Sequence, residues 1–286
     1  SALSSQNAAA DAYNIAIGYN AGTTISTGVR NILIGGFAGD ALTTGGYNVG
    51  IGYNALSSED GNGYNVAVGT YSLATLNAGA DAFNTALGYA TGYTISTGIQ
   101  NTIVGGQAGD ALTTGSFNVA VGSYALSSED TGGYNTAVGD QALQTQDGGT
   151  GNTAVGYKAG AAITTGGYNT LIGRSSGDAL TTGGHNVAIG YGSLSSEDGN
   201  GKNVAIGYNV LNAQNAGAEA YNVAIGYNAG ALTTTGIENT LVGGLAGDAI
   251  TGGMESTFIG YEAGTLTSDS ERCTFIGAEA GSALNY

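Results

Sequence analysis

Hydrophobic and polar positions along this chain follow one short rule. A five-residue phrase, Asn-x-x-(Ile/Val/Leu)-Gly, begins at residues 14, 31, 48, 65, 84, 101, 118, 135, 152, 169, 186, 203, 222, 239, 256 and 273. The step is 17 residues in thirteen intervals and 19 in the other two. Counting the anchor as position 0, +3 is aliphatic and +4 is glycine in all sixteen copies. A fixed period with a tolerated two-residue insertion predicts a solenoid whose repeats, or rungs, stack on their neighbours. In a rung such as Tyr221-Asn222-Val223-Ala224-Ile225-Gly226-Tyr227, odd positions are bulky and even ones small, which predicts a strand with one bulky face and one small face. A second apolar residue follows at +8 (Leu56, Leu73, Leu126, Leu143) or at +11 (Leu42, Leu112, Leu180). It predicts a short second strand closed by Gly-rich turns. The expected fold is therefore all-β: a flattened β-roll solenoid of about 16 rungs, forming one elongated repeat domain over 1–286.

A longer period lies over the first. Rungs of four kinds alternate, so that NIAIGYNAG at 14–22 returns as NTALGYATG, NTAVGYKAG and NVAIGYNAG after 70, 68 and 70 residues. The chain reads as four blocks of four rungs. Residues 1–13 align with the tail of a rung (71–83), so a segment of a longer fibre is expected. At about 4.8 Å per rung, sixteen rungs would make a rod on the order of 75 Å long. The anchor is Asn14, Asn31, Asn48, Asn65, Asn84, Asn101, Asn118, Asn135, Asn152, Asn169, Asn186, Asn203, Asn222 and Asn239, then Ser256 and Cys273. This column predicts a side-chain amide ladder, each amide bonding the next rung or capping a neighbouring turn. A roll this thin has little interior, and both strand faces suit burial, one inside and one against a partner chain. Association of identical chains, a trimer first, would supply the missing burial.

Composition narrows the partners. The chain has 54 glycines and neither proline nor tryptophan, and the glycines hold fixed rung positions rather than the spacing of collagen or disorder. Twenty-one acidic residues against five basic ones give a net charge of -16. That argues against nucleic acid and against docking on anionic lipid. No apolar run approaches the length needed to insert in a membrane.

The phrases NVGIGYNAL, NTAVGDQAL and NTAVGYKAG resemble the repeats of left-handed β-roll heads in trimeric autotransporter adhesins. They are more similar still to the longer repeats of bacteriophage tail-fibre and virion-fibre proteins. The likeness spans the whole chain and implies a homotrimeric fibre, outside the cell on a virion or bacterial surface, acting as shaft or adhesive segment toward a host receptor or glycan. The 17-residue step exceeds the usual adhesin-head step, so loop size and ligand site do not carry over.

Candidate chemistry is sparse. Tyrosines at +5 (Tyr19, Tyr53, Tyr89, Tyr157, Tyr191, Tyr208, Tyr227, Tyr261) form a row suited to sugars or protein partners, or to packing between chains. The turns SSEDGNG (57–63, 195–201) and SSEDTGG (127–133) suggest calcium, but lack the ligand spacing of a calcium loop; turn chemistry is the favoured reading and no cofactor is assigned. Asp40, Asp110, Asp178 and Asp248 recur at +9 every fourth rung, about 19 Å apart on the solenoid axis and too far for a glycosidase pair. They read as turn caps. His185 is the only histidine and reads as a surface substitution, whereas Cys273 reads as a small buried filler. Nothing here makes a case for catalysis. Threonine pairs at 43–44, 113–114, 181–182 and 233–234 raise ice binding as a third function, weakened by their recurrence only every fourth rung.

Overall fold

The structure is a computed structural model that describes residues 1–7, 11–265, 268–269 and 271–282. The solenoid expected from the period is formed. Sixteen strands of three residues, from Ile15–Ile17 to Thr274–Ile276, occupy positions +1 to +3 of the sixteen rungs. The chain falls into two compact units, Ser1–Gly148 and Gly149–Tyr286, with eight strands each. Within each unit consecutive strands pair in parallel and in register: Ile15 lies opposite Ile32, and Thr170 opposite Val187. Among the described residues there is no helix, and so none long and apolar enough to cross a membrane.

Four positive φ values per rung bend the chain into a closed turn of the solenoid. Positions -1, +6 and +8 are left-handed even where they are not glycine, as at Tyr47 (φ 61), Asn54 (φ 55) and Leu56 (φ 53). Each left-handed L-residue costs roughly 1–2 kcal/mol. Contact with adjacent rungs offsets this, because the same residues donate their N–H groups across the stack: Tyr47 to the Val29 carbonyl at 3.0 Å, and Leu56 to the Ser72 carbonyl at 3.1 Å. The +4 glycines take φ between 124° and 143°. A Cβ on Gly35 would lie 2.4 Å from the Gly52 carbonyl oxygen, so the column is glycine for both conformation and closeness of stacking.

The second strand is not formed. Its place is taken by turns, and the only bridge outside the sixteen strands among the described residues is Met254–Glu271. Left-handed residues at +6 and +8 interrupt the extended backbone that a strand needs, although those turns still bond from rung to rung.

Burial is the reverse of what side-chain size suggests. The small face is the interior: Ala67, Ala86, Ala120 and Leu33 at +2 are fully buried, while Ile17 at +3 is 60% exposed and Leu87 49%. Turn residues such as Ala38, Leu42, Leu56 and Ile95 complete the core. Interior volume is shared between rungs. A large apolar residue stands at +2 (Leu33, Ile103, Leu171, Leu241) where +8 is glycine, or at +8 (Leu56, Leu73, Leu126, Leu143) where +2 is small. Rungs with neither are filled by their own +11 residue together with neighbours, since a Cβ on Gly92 would meet Ile95 Cδ1 at 2.8 Å, Leu73 Cδ2 at 3.0 Å and Ile103 Cδ1 at 3.3 Å. The four-rung period is thus a packing cycle.

The asparagines form the polar spine of that core. From Asn31 to Asn239 they are buried, with Asn14 half-buried in the first rung. Asn169 Oδ1 accepts the Asn186 backbone N–H at 2.9 Å, and its Nδ2 donates to the Gly183 carbonyl at 2.9 Å. The same pair of bonds recurs at Asn31, Asn84, Asn101 and Asn222. Each side chain therefore satisfies one donor and one acceptor of the backbone in the tight interior.

Cys273 is half-buried, which corrects its reading as a buried filler. Its N–H donates to Ser256 Oγ at 3.2 Å, so the shorter serine side chain still continues the spine.

Candidate functional site: an aromatic and polar edge

Beyond each +4 glycine the chain turns a corner, and +5 points away from the core. All eight predicted tyrosines of that column are exposed, from 44% at Tyr157 to 69% at Tyr19. The structure divides them. In the first unit Tyr19, Tyr53 and Tyr89 do not touch one another directly; Phe37 and Tyr71 stand between them in an edge-to-face zigzag with centroids 5.2 to 6.5 Å apart. In the second unit Tyr191, Tyr208 and Tyr227 stack nearly parallel, 5.2 and 5.3 Å apart. The Arg174 guanidinium lies 5.7 Å from the ring centres of both Tyr157 and Tyr191, and Lys158 Nζ is 5.5 Å from Tyr157. Tyr261 rests on the backbone of Gly244.

Phe37, Tyr71, Tyr93 and Arg174 belong to this edge and were not singled out in the sequence. Strict alternation would send +6 to the opposite side from +5. The left-handed conformation at +6 (φ 58 at Phe37, φ 60 at Tyr71) returns it to the same side.

The +9 aspartates sit beneath these rings. Three clefts open along the edge: one of about 310 Å³ with Phe37, Asp40, Tyr53 and Ser57; one of about 310 Å³ with Tyr71, Tyr89, Tyr93 and Asp110; and one of about 440 Å³ with Asp178, Tyr191, Tyr208 and Asn212. Burial raises the carboxyls of Asp40, Asp110, Asp178 and Asp248 above the usual range. A hydrogen bond from Ser175 and the positive charge of Lys158 oppose that rise at Asp178. The Gln107 side chain opposes it at Asp110, so in two of the four cases the +6 residue of the same rung favours the charged carboxylate. Each cleft is lined by a single carboxylate.

The acidic turns work as internal caps. Glu59, Glu129 and Glu197 are buried at +11, where most other rungs carry Leu or Ile. Glu59 Oε1 accepts the Asn62 N–H at 3.1 Å, and Glu197 Oε1 the Asn200 N–H at 3.1 Å. Glu129 accepts the Gly132 N–H and, at 2.6 Å, the Gln146 side-chain amide. Among the described residues no group of three or more His, Cys, Asp or Glu is arranged to hold a metal. His185 is exposed and stacks on Tyr168 with centroids 5.2 Å apart. One threonine of each pair is engaged with the adjacent rung: Thr43 donates to the Asp60 carbonyl at 2.8 Å, Thr113 to that of Asp130 at 3.2 Å, Thr181 to that of Asp198 at 2.6 Å, and Thr234 to that of Thr251 at 3.2 Å.

Compared with protein-family models and with curated protein sequences, the chain matches none.

Proposed function

We propose that this chain is a segment of a homotrimeric surface fibre, of a virion tail or a cell-surface appendage, that serves attachment and has no catalytic role. One observation carries this reading. The outer face of each unit's sheet is a strip of uncharged, mostly β-branched side chains at +1 and +3, unpartnered in the single chain: Ile32, Val66, Ile172, Ile225 and Ile259 are all 36–38% exposed although rungs above and below flank them. Contiguous apolar surface of this kind marks an interaction face, and three identical copies around one axis would cover it. An extracellular location follows from that reading.

The test is Ile189→Asp, Ile206→Asp and Ile225→Asp together, with native mass spectrometry as the readout. The wild type should be a trimer, and the variant should dissociate because a charge in the interface is costly to bury. A wild-type chain that is monomeric and well folded would refute the proposal.

A second reading, that the roll itself binds glycan or matrix, is favoured by the clefts, whose tyrosine rims and Asp, Asn and Ser linings suit sugar hydroxyls. Attachment should be compared for the wild type, a fibre with Tyr191, Tyr208 and Tyr227 changed to Ser, and one shortened by a four-rung block. Loss with the tyrosine changes alone supports a binding surface; loss only on shortening supports a spacer.

A further inference from the structure

Because the chain is so repetitive, a residue that breaks the repeat at the edge stands out. The cleft above Asp110 is built from such breaks. Tyr71 occupies a +6 position whose counterparts in the other blocks are Gln141, Asn209 and Glu279, and Tyr93 a +9 position whose counterparts are Thr23, Ala161 and Ala231. Tyr71 stands nearly perpendicular to both remaining rings, at 82° to Tyr89 (centroids 6.5 Å apart) and 88° to Tyr93 (5.9 Å). The three rings make walls of a cleft of about 310 Å³ whose lining also holds Gln107 and the carboxylate of Asp110.

That carboxylate lacks a counter-charge. Its Oδ1 is buried and without a hydrogen-bond partner. The first unit contains ten acidic side chains and one basic one, Arg30, whose guanidinium lies over the Tyr47 ring. At the corresponding aspartate of the next block, Asp178, Lys158 supplies positive charge. An aromatic ring attracts a cation through the negative face of its quadrupole, and a cleft lined by three such rings and a carboxylate suits a large, weakly hydrated cation.

We infer that Tyr71, Tyr89, Tyr93 and Asp110 form a binding site for a trimethylammonium group. A tyrosine box also suits an uncharged alkyl group of the same shape, so charge is what the test must isolate. The site belongs to a single chain and does not rest on trimerisation.

Titration of the full chain with choline, followed by calorimetry or by tyrosine ring resonances, should saturate at one site per chain. The uncharged isostere carrying tert-butyl in place of trimethylammonium should bind at least about tenfold more weakly. Tyr93→Ala should weaken choline binding about tenfold or more. Alanine already fills the equivalent place at 161 and 231, so this variant keeps the fold. Asp110→Asn, which preserves shape and removes charge, should also weaken choline while leaving the isostere unchanged. Binding of choline alone supports a soluble ligand, whereas capture of phosphatidylcholine vesicles that choline displaces supports a surface-borne headgroup. Absence of choline binding, equal affinity for the isostere, unchanged binding by Tyr93→Ala, or four equivalent sites per chain would each overturn the assignment.

Discussion

Asn169→Ala tests the polar spine where the structure defines it most fully. The side chain accepts the Asn186 N–H at 2.9 Å, donates to the Gly183 carbonyl at 2.9 Å and reaches Asn152 Oδ1 at 3.1 Å. Alanine leaves the first two backbone groups without a partner in an interior too tight for replacement. At about 1–3 kcal/mol for each orphaned buried group, the expected loss is roughly 2–6 kcal/mol. Asn152 Oδ1 still receives the Asn169 N–H at 2.9 Å, so it adds little. Serine is the internal control, because Ser256 shows that a short hydroxyl can accept from the next anchor N–H. Asn169→Ser should therefore lose only the Gly183 bond, about half the alanine effect.

Hydrogen exchange reads this locally. The Asn186 amide should exchange at least about thirtyfold faster in Asn169→Ala, the factor that corresponds to roughly 2 kcal/mol, while amides of distant rungs keep their protection. Chemical denaturation should rank wild type above Ser above Ala. A loss within about 0.5 kcal/mol for alanine, the size typical of an ordinary surface substitution, would refute the spine as a stabilising element.

Further outcomes follow from the same geometry. Gly173→Ala and Gly277→Ala impose similar backbone strain (φ 132 and φ 126), but a Cβ meets the Gly190 carbonyl oxygen at 2.5 Å only in the first. Melting should show about 1–3 kcal/mol lost at Gly277 and clearly more at Gly173; equal losses would mean that stacking closeness is unimportant. Glu59, Glu197 and the four +9 aspartates hold raised carboxyls, so the folded chain binds more protons than the unfolded one between the unfolded and folded values. Their contribution is present in full below the unfolded values and lost as pH rises through the folded ones. The melting temperature should therefore rise as pH falls from 7 toward about 4, and Glu59→Gln with Glu197→Gln should flatten that slope. A chelator should leave the melting temperature unchanged, because the acidic turns are capped from within; a fall of tens of degrees would restore calcium as a structural cofactor.

The rung, its strand and the asparagine column were legible in the sequence because each follows from strict periodicity. The turns that replace the expected second strand were not, because an apolar residue at +8 suits an extended segment as well as the left-handed conformation that Leu56 and its counterparts adopt. The aromatic edge was half legible. Tyr19 and the other +5 tyrosines follow from the repeat, but Phe37 and Tyr71 join them only through a backbone conformation that no side-chain pattern announces. The caps formed by Glu59, Glu129 and Glu197 were hidden for the opposite reason. A glutamate in a sequence reads as surface, yet these replace Leu or Ile inside the roll and bond the turn that follows.

The inversion of burial explains why the outer face matters. A seventeen-residue turn encloses a space so narrow that asparagine, alanine and at most two large apolar residues per rung fill it, and the bulkier half of the strand has nowhere to go but outward. An ordinary β-protein would cover that half with a second sheet, but here the rest of the rung is consumed in closing the turn. The outward columns, aliphatic at +3 and Ile, Val or Thr at +1, are therefore a consequence of rung length, and in the proposed trimer another copy would cover them. The edge beyond the +4 glycines is under no such constraint. It tolerates Thr, Tyr or Ala at the position of Tyr93 without disturbing the spine, so variation there is free to serve binding. On the proposed reading, assembly would use the outer strand face and recognition the variable edge of the same rung.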